Sequence, residues 1–164
     1  MVLRKLKKKD ADFMLEWMHD KNVISELNAN FSEKTIDDCI AFIENSNISD
    51  EDIHFAIVDA NDEYMGTVSL KHVDMISKNA EFAITVRSSA MGRGFSSFGM
   101  SEILKYGIEI LHLTDIYWCV AKTNTRAIRF YDKNNYVRTT SVPSVILSHY
   151  DSELLEKLIW YKYN

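Results

Sequence analysis

Three short β-rich runs in the middle of the chain limit its possible folds more than any other feature. Residues 53–59 and 64–70 are separated by the polar turn Ala60-Asn-Asp-Glu63, and a third run, 80–86, follows the turn Ser77-Lys-Asn79. Connections this short join antiparallel strands, because a parallel pair needs a crossover of a dozen or more residues. The three runs therefore predict an antiparallel meander.

A strand and two helices are expected before this meander. Residues 2–6 can form a short strand, and Asp10 is a candidate N-cap for a helix whose apolar residues recur at helical spacing as far as Met18. Ser32 is a candidate N-cap for a second helix, whose apolar face extends to Ile43.

Helices and strands alternate after the meander. Residues 92–111 carry apolar side chains at every third or fourth position, which predicts a long helix. The remaining elements are expected in the order strand, helix, strand, strand, at 115–121, 124–132, 136–142 and 158–163. This pattern predicts an α/β fold with a mixed, mostly antiparallel sheet of six to seven strands and about four helices.

The length and charge of the chain exclude several classes of protein. With 46% hydrophobic residues, residues 1–164 suffice for one well-filled core, so we expect a single domain. A net charge of −5 argues against a main role in nucleic-acid binding, which needs a basic surface. No apolar run approaches the roughly 20 residues of a transmembrane helix, and charged residues interrupt the chain after its basic start. We therefore expect a cytoplasmic protein with no nucleic-acid or membrane partner.

The side chains that commonly bind metals show no recognisable pattern. Cys39 and Cys119 lie far apart in apolar segments, which favours buried free thiols over a disulfide or a nucleophile. The five histidines lack the spacing of paired metal ligands. We expect no metal.

A strand, a glycine-containing turn and a helix start form one unit at residues 81–97. The turn is Gly92-Arg-Gly94, and the helix follows it directly. The first amides of a helix lack acceptors within the helix and lie at the positive end of its dipole, so this unit can bind a phosphate group. Turn geometry alone would also explain the two glycines. A Rossmann fingerprint would need a third glycine in place of Ser97, and a P-loop would need Gly-Lys-Ser/Thr, so neither motif applies.

A second motif follows the next predicted strand: Asn124-x-x-Ala127-x-x-Phe130-Tyr131-x-Lys133-x-x-Tyr136. Together with the Gly-x-Gly helix start, it resembles the acetyl-CoA-binding half of the GNAT N-acetyltransferases, over about residues 80–137. The sequence Ala-Glu-Phe at 80–82 and the N-terminal pattern from Leu3 to Trp17 resemble the members that acetylate ribosomal proteins, spermidine and amino sugars. The family's phosphate loop usually reads Gln/Arg-x-x-Gly-x-Gly/Ala, from which this chain departs at Met91 and Ser96.

The resemblance implies where acetyl-CoA binds. Strands 80–86 and 115–121 would splay apart to admit it, the first strand would pair with the pantetheine arm, and the glycine turn would hold the phosphates through backbone amides. Asn124 would bind the arm near its thiol end. The implied cofactor site comprises Ile84, Thr85, Val86, Met91, Gly92, Arg93, Gly94, Phe95, Ser96, Ser97 and Asn124.

Two residues are candidates for proton transfer. Tyr131 stands at the motif position of a general acid that would protonate the departing thiolate. Glu81 heads the strand beside the cofactor edge and is a candidate general base, a group that orients the substrate amine, or a solvated charge at a strand end. A group of acidic residues could also attract a cationic amine, and the alternative is that it only stabilises a helix N-terminus. The group comprises Glu26, Glu33, Asp37 and Asp38.

The expected function is therefore acetyl transfer from acetyl-CoA to a primary amine by direct attack in a ternary complex, without an acyl-enzyme. A small-molecule acceptor, an amino sugar or a polyamine, is expected. The alternatives are a protein N-terminal α-amine as acceptor and, in another class, a non-catalytic acetyl-CoA-binding module. Exposed strand edges could also support a homodimer.

Overall fold

The computed structural model describes residues 1–27 and 29–164, which form a mixed seven-stranded sheet with helices on both faces. The strands are β1 (Val2–Lys5), β2 (Ile53–Val58), β3 (Tyr64–Asp74), β4 (Asn79–Val86), β5 (Asp115–Ala121), β6 (Val137–Thr139) and β7 (Leu158–Tyr163). Their order across the sheet is β1-β2-β3-β4-β5-β7-β6. The predicted sheet is confirmed.

The described part of the chain contains more helices than the sequence predicts. They are α1 (Ala11–Met18), α2 (Lys21–Ile24), α3 (Ile36–Ser46), α4 (Phe95–Lys105), α5 (Thr125–Lys133), α6 (Ser144–Leu147) and α7 (Ser152–Leu155). A π-helical turn extends α4, and α2, α6 and α7 are single turns of four residues, too short to show a helical period. None of these helices is long and apolar enough to span a membrane.

The pairing of β4 with β5 determines where the sheet opens. β1 to β4 form an antiparallel meander, as predicted, whereas β4 and β5 are parallel. Their register begins at Asn79↔Asp115 and ends at Glu81↔Tyr117. Beyond these pairs the two strands separate, although β4 continues to Val86. The predicted splay is therefore confirmed, and its apex lies at Glu81.

Hydrophobic cores lie on both faces of the sheet. α4 and α5 cover one face, where Trp118 and Ile103 are fully buried. α1 and α3 cover the other face around Met14, and α6 and α7 extend that layer over β5 and β7. Side chains alternate between faces along a strand, so Trp118 and its neighbour Cys119 contact different layers.

Two predicted helix caps are wrong. α3 is capped by Thr35 rather than Ser32, because Thr35 and Asp38 form a capping box in which each side chain accepts from the other's backbone N–H. The Asp10 carboxylate does not cap α1, because it instead binds the Arg4 guanidinium at 2.7 and 2.8 Å.

The predicted strand at 136–142 is confirmed only over Val137–Thr139. The backbone N–H of Ser141 donates to Oγ1 of Thr139 at 3.0 Å, which turns the chain, and Pro143 has no N–H for a strand ladder. Residues 143–157, which we call the C-terminal segment, then form α6 and α7 over the sheet.

Candidate active site

The glycine turn before α4 presents free backbone amides. Gly92 and Gly94 have φ angles of 73° and 87°, which favour glycine, and Gly94 is the residue that precedes the helix. Within the described chain, the amides of Gly94 and of residues 95–97 donate no hydrogen bond. A Cβ added at Gly92 would meet no atom within 4 Å, so this side of the turn is open. The predicted phosphate cradle thus has the donors and the space that an anion needs.

Arg87 fixes the end of β4 at the start of this turn. Its guanidinium donates to the Glu16 carboxylate at 2.9 and 3.0 Å, to Glu63 at 2.7 Å and to the carbonyl of Tyr64 at 2.9 Å. It also lies over the Phe13 ring, 4.3 Å from the ring centroid. These contacts tie the cradle to α1 and β3. No local sequence pattern indicates this role of Arg87, because its partners are far apart along the chain.

The β4 residues Ile84, Thr85 and Val86 border the opening. Each is paired with β3 on one side, as in Val68↔Ile84, and none is paired with β5 on the other. Their free edge therefore offers backbone groups to an extended ligand inserted between β4 and β5.

Asn124 and Tyr131 lie at the two ends of one helix beside the opening. Asn124 caps α5 as predicted, since its side-chain oxygen accepts from the N–H of Ala127 at 3.0 Å. Tyr131 is buried against Trp118 and Tyr161, at centroid distances of 5.5 and 5.0 Å. Burial raises the pKa of Tyr131 above its usual value, so its phenol stays protonated at neutral pH.

Glu81 is a buried carboxylate at the apex of the splay. Only 2% of the residue is exposed, which excludes a solvated strand-end charge. The hydroxyl of Tyr150 donates to Oε1, and the Lys71 ammonium lies 3.5 Å from the same oxygen. Oε2 has no hydrogen-bond partner among the described residues, and Nε2 of His72 is 4.0 Å away. One carboxylate oxygen is thus fixed, and the other is buried with no hydrogen-bond partner among the described residues.

The two candidate proton-transfer residues lie on opposite faces of the sheet. Tyr131, on α5, points into the core between the sheet and α4 and α5, where it contacts Trp118. Glu81 contacts Tyr150, which belongs to the layer of the C-terminal segment on the other face. A group bound in the opening between β4 and β5 would therefore have one of these residues on each side.

A cleft of about 320 Å³ lies at the carboxyl end of β5. It is lined by the end of α2 and the following turn, by residues 121–123, and by residues around α7. Thr123 donates across this cleft to the exposed carboxylate of Glu26 at 2.9 Å. Glu26 is the member of the predicted acidic group that lines this cleft, whereas Asp38 is used in the cap of α3.

Comparison with known proteins assigns this arrangement to a family. Residues 1–137 match the family model described as "Acetyltransferase (GNAT) domain". The chain belongs to the GNAT family. This GNAT protein is an acetyl-CoA-dependent N-acetyltransferase that transfers the acetyl group to an amine.

Several relatives are described as spermidine acetyltransferases. The spermidine N(1)-acetyltransferase of Vibrio cholerae is 28% identical over 142 residues, which cover 84% of this chain and 79% of the relative. That of Escherichia coli K12 is 31% identical over 98 residues, 57% of this chain and 53% of the relative. The crystal structure of the Vibrio cholerae spermidine N-acetyltransferase in complex with CoA and spermine has the same fold, with a TM-score of 0.78 at 21% identity, covering 98% and 92% of the two chains.

The cysteines of this GNAT protein are both free, as predicted. Cys39 is buried, whereas Cys119 is half-buried with its Sγ 3.5 Å from the Tyr150 hydroxyl. Burial raises the pKa of Cys119 to about 11, so its thiol is neutral at physiological pH and is a poor nucleophile. The described residues contain no cluster of three or more metal-ligating side chains.

Proposed function

We propose that this GNAT protein acetylates a primary amine of a polyamine. The observation that carries the proposal is the match to spermidine N(1)-acetyltransferase over 84% of the chain. Two features on the acceptor face support it: the buried carboxylate of Glu81 and the exposed carboxylate of Glu26 at the cleft. A polyamine carries several ammonium groups, so one carboxylate can contact the reacting nitrogen while a second attracts another cation.

The donor side of the proposed site would hold acetyl-CoA mainly through backbone groups. The free amides of Gly94 and residues 95–97 would bind the pyrophosphate at the start of α4. The unpaired edge of residues 84–86 would bind the pantetheine arm. The side-chain oxygen of Asn124 is already used in the helix cap, so its NH₂ group would donate to that arm. Amides need no particular side chain, so the departures at Met91 and Ser96 leave this mode of binding intact.

The proposed reaction is a single direct transfer. The neutral nitrogen forms a bond to the thioester carbonyl carbon and the carbon–sulfur bond breaks, which gives the N-acetyl amine and CoA. Glu81 accepts through a water molecule the proton that the nitrogen loses, and Tyr131 donates its phenolic proton to the departing sulfur. Exchange with solvent restores both groups. The neutral thiol of Cys119 argues against a covalent acetyl-enzyme.

A turnover assay with matched amines tests this function. The panel contains spermidine, spermine, cadaverine, an amino sugar, an aminoglycoside and a peptide with a free N-terminus. Pentylamine is the matched control for cadaverine, because the two share a five-carbon chain and only cadaverine has a second cation. We expect the highest kcat/KM for a polyamine and a lower value for pentylamine than for cadaverine.

Other results of this assay would favour the alternatives. A peptide as the best acceptor would contradict the polyamine assignment and indicate an N-terminal acetyltransferase. Binding of acetyl-CoA in calorimetry without turnover of any amine would indicate a non-catalytic module. No acetyl-CoA binding at millimolar concentration would contradict the proposed donor site.

We also propose that the protein assembles into a homo-oligomer. The sheet ends in the strands β1 and β6, each of which pairs on one side only in the described structure. A Vibrio cholerae spermidine N-acetyltransferase with this fold is described as dodecameric. Light scattering should give a mass of two or more chains of 19.0 kDa each, and a monomer at assay concentration would contradict the proposal.

A further inference from the structure

Tyr150 lies where the C-terminal segment crosses the sheet beside the apex of the splay. Its ring packs edge-on against Trp160, with centroids 5.4 Å apart, in the core formed with α6 and α7. Packing against β7 therefore fixes the position of its ring.

The Tyr150 hydroxyl forms the middle of a short hydrogen-bonded chain. The Cys119 thiol donates to the tyrosine oxygen at 3.5 Å, and the tyrosine hydroxyl donates to Oε1 of Glu81. Burial raises the pKa of both Tyr150 and Cys119, so both remain protonated and the chain has one direction, towards the carboxylate. Tyr150 is thus a permanent donor to Glu81.

The remaining surroundings of Glu81 distinguish its two oxygens. Lys71 adds a second contact on Oε1, at 3.5 Å. Oε2 faces only His72, at 4.0 Å, and is buried without a hydrogen-bond partner among the described residues. The His149 ring stacks on His72 with centroids 3.7 Å apart. The titratable groups around the carboxylate are therefore Lys71, His72, Tyr117, Cys119, His149 and Tyr150.

We propose that Tyr150 is a positioning residue for acetyl transfer. Its hydroxyl holds Oε1 of Glu81, so that Oε2 is left to receive, through a water molecule, the proton that the nitrogen loses. This inference rests on the proposed function of Glu81 as the base. The C-terminal segment thereby has a role in the site. It supplies the hydroxyl that donates to Glu81 and contributes no group that touches the reacting atoms.

The substitution Tyr150→Phe tests the inference, because it keeps the ring that packs on Trp160 and removes only the donor. The loss of one hydrogen bond to a charged group should lower kcat/KM at neutral pH by roughly 10- to 100-fold. The carboxylate loses a bond that favours its charged form, so the pH–rate profile of the variant should lose more activity on its acidic side than at neutral pH. The acetyl-CoA Kd should stay unchanged.

Two further variants separate positioning from general loss of structure. Tyr163→Phe removes a hydroxyl from β7, where the Tyr163 ring contacts Tyr136, and its activity should equal that of the wild type. In a Glu81→Gln background, Tyr150→Phe should cost less than twofold, because the group that it positions is already gone. Equal losses in both backgrounds, or an unmoved pH profile in Tyr150→Phe, would overturn the inference.

A failure of the Tyr150 inference can be distinguished from a failure of the proposed function. All variants are assayed with the best amine of the panel, so a non-polyamine acceptor would contradict the polyamine assignment and leave the Tyr150 test valid. The carbon-13 chemical shift of the Glu81 carboxyl group can be measured without an acceptor. It should differ between Tyr150→Phe and the wild type at neutral pH, because the variant lacks the hydrogen bond to Oε1, and an unchanged chemical shift would contradict the inference even in a protein without turnover.

Discussion

The donor side and the acceptor side of the opening are built from different parts of the chain. The donor side consists of backbone groups from one stretch, β4 to the start of α4, and of α5. The acceptor side consists of side chains from β3, β4, β5 and the C-terminal segment, which meet around Glu81. The first uses local geometry, whereas the second depends on tertiary packing. Because the donor side uses backbone groups, its contacts should tolerate changes of side chain. Because the acceptor side uses side chains, substitutions there can change which amine binds.

The largest expected effect comes from the donor side, at the leaving group. Tyr131→Phe should lower kcat by roughly 10- to 1000-fold, since general acids contribute about 10²–10⁴ and water can replace part of that. The Kd for acetyl-CoA should barely change. Because burial raises the Tyr131 pKa, the wild type should show no loss of activity from this phenol at the pH where an exposed tyrosine ionises.

Tyr136→Phe is the matched control for Tyr131. The Tyr136 ring packs on the same Trp118, at 5.3 Å, and has no assigned role in the reaction. If both variants retain full kcat when chemistry limits the rate, Tyr131 is a core residue only.

On the acceptor side, Glu81→Gln should lower kcat/KM at neutral pH by roughly 100-fold, as expected for the loss of a general base. Most amines are protonated at pH 7, so activity should recover as the pH rises and free amine becomes abundant. A pH–rate profile of both proteins provides the measurement. A deficit that does not depend on pH would exclude the base role, and a loss confined to KM would indicate that Glu81 only orients the ammonium.

Two substitutions at one position test whether the cradle depends on backbone. Ser96→Pro removes one amide in the first turn of α4, where proline is tolerated, and should weaken acetyl-CoA binding about tenfold or more. Ser96→Ala keeps the amide and should change the Kd by less than about twofold. Calorimetry measures both, and thermal unfolding without ligand checks that the helix remains. Equal affinities in the two variants would mean that side chains, not amides, hold the phosphates.

The smallest effect is expected at the cleft. Glu26→Gln should raise the polyamine KM by about two- to fivefold, because exposed ion pairs contribute little, and added salt should remove the difference. Glu44→Gln, on α3 outside the cleft, is the control and should have no effect. A KM for Glu26→Gln equal to that of the wild type at low salt would exclude the cleft from acceptor attraction.

The same contrast determines what could be predicted from the sequence. The meander, the long helix after Gly94 and the cap at Asn124 follow from short-range patterns, because turn residues, periodic apolar side chains and caps act within a few positions. The positions proposed to bind acetyl-CoA were predicted from the same kind of pattern, since glycine geometry and motif spacing are local.

The acceptor side could not be predicted in this way. The burial of Glu81 and its bond to Tyr150 join residues far apart in sequence, and no local pattern indicates such a pair. The sequence predicted a strand through residue 142, but the chain turns at Ser141 and the two single-turn helices that follow show no recognisable period. Arg87 was missed likewise, because Glu16 and Glu63 are its distant partners.

The central claim is that both substrates occupy the opening together and that the acetyl group passes directly between them. Initial rates measured against acetyl-CoA at several fixed concentrations of spermidine test it most directly. Direct transfer predicts double-reciprocal lines that intersect, and mass spectrometry after incubation with acetyl-CoA alone should find no acetyl group on Cys119. Parallel lines together with an acetylated Cys119 would show a covalent intermediate and contradict the account.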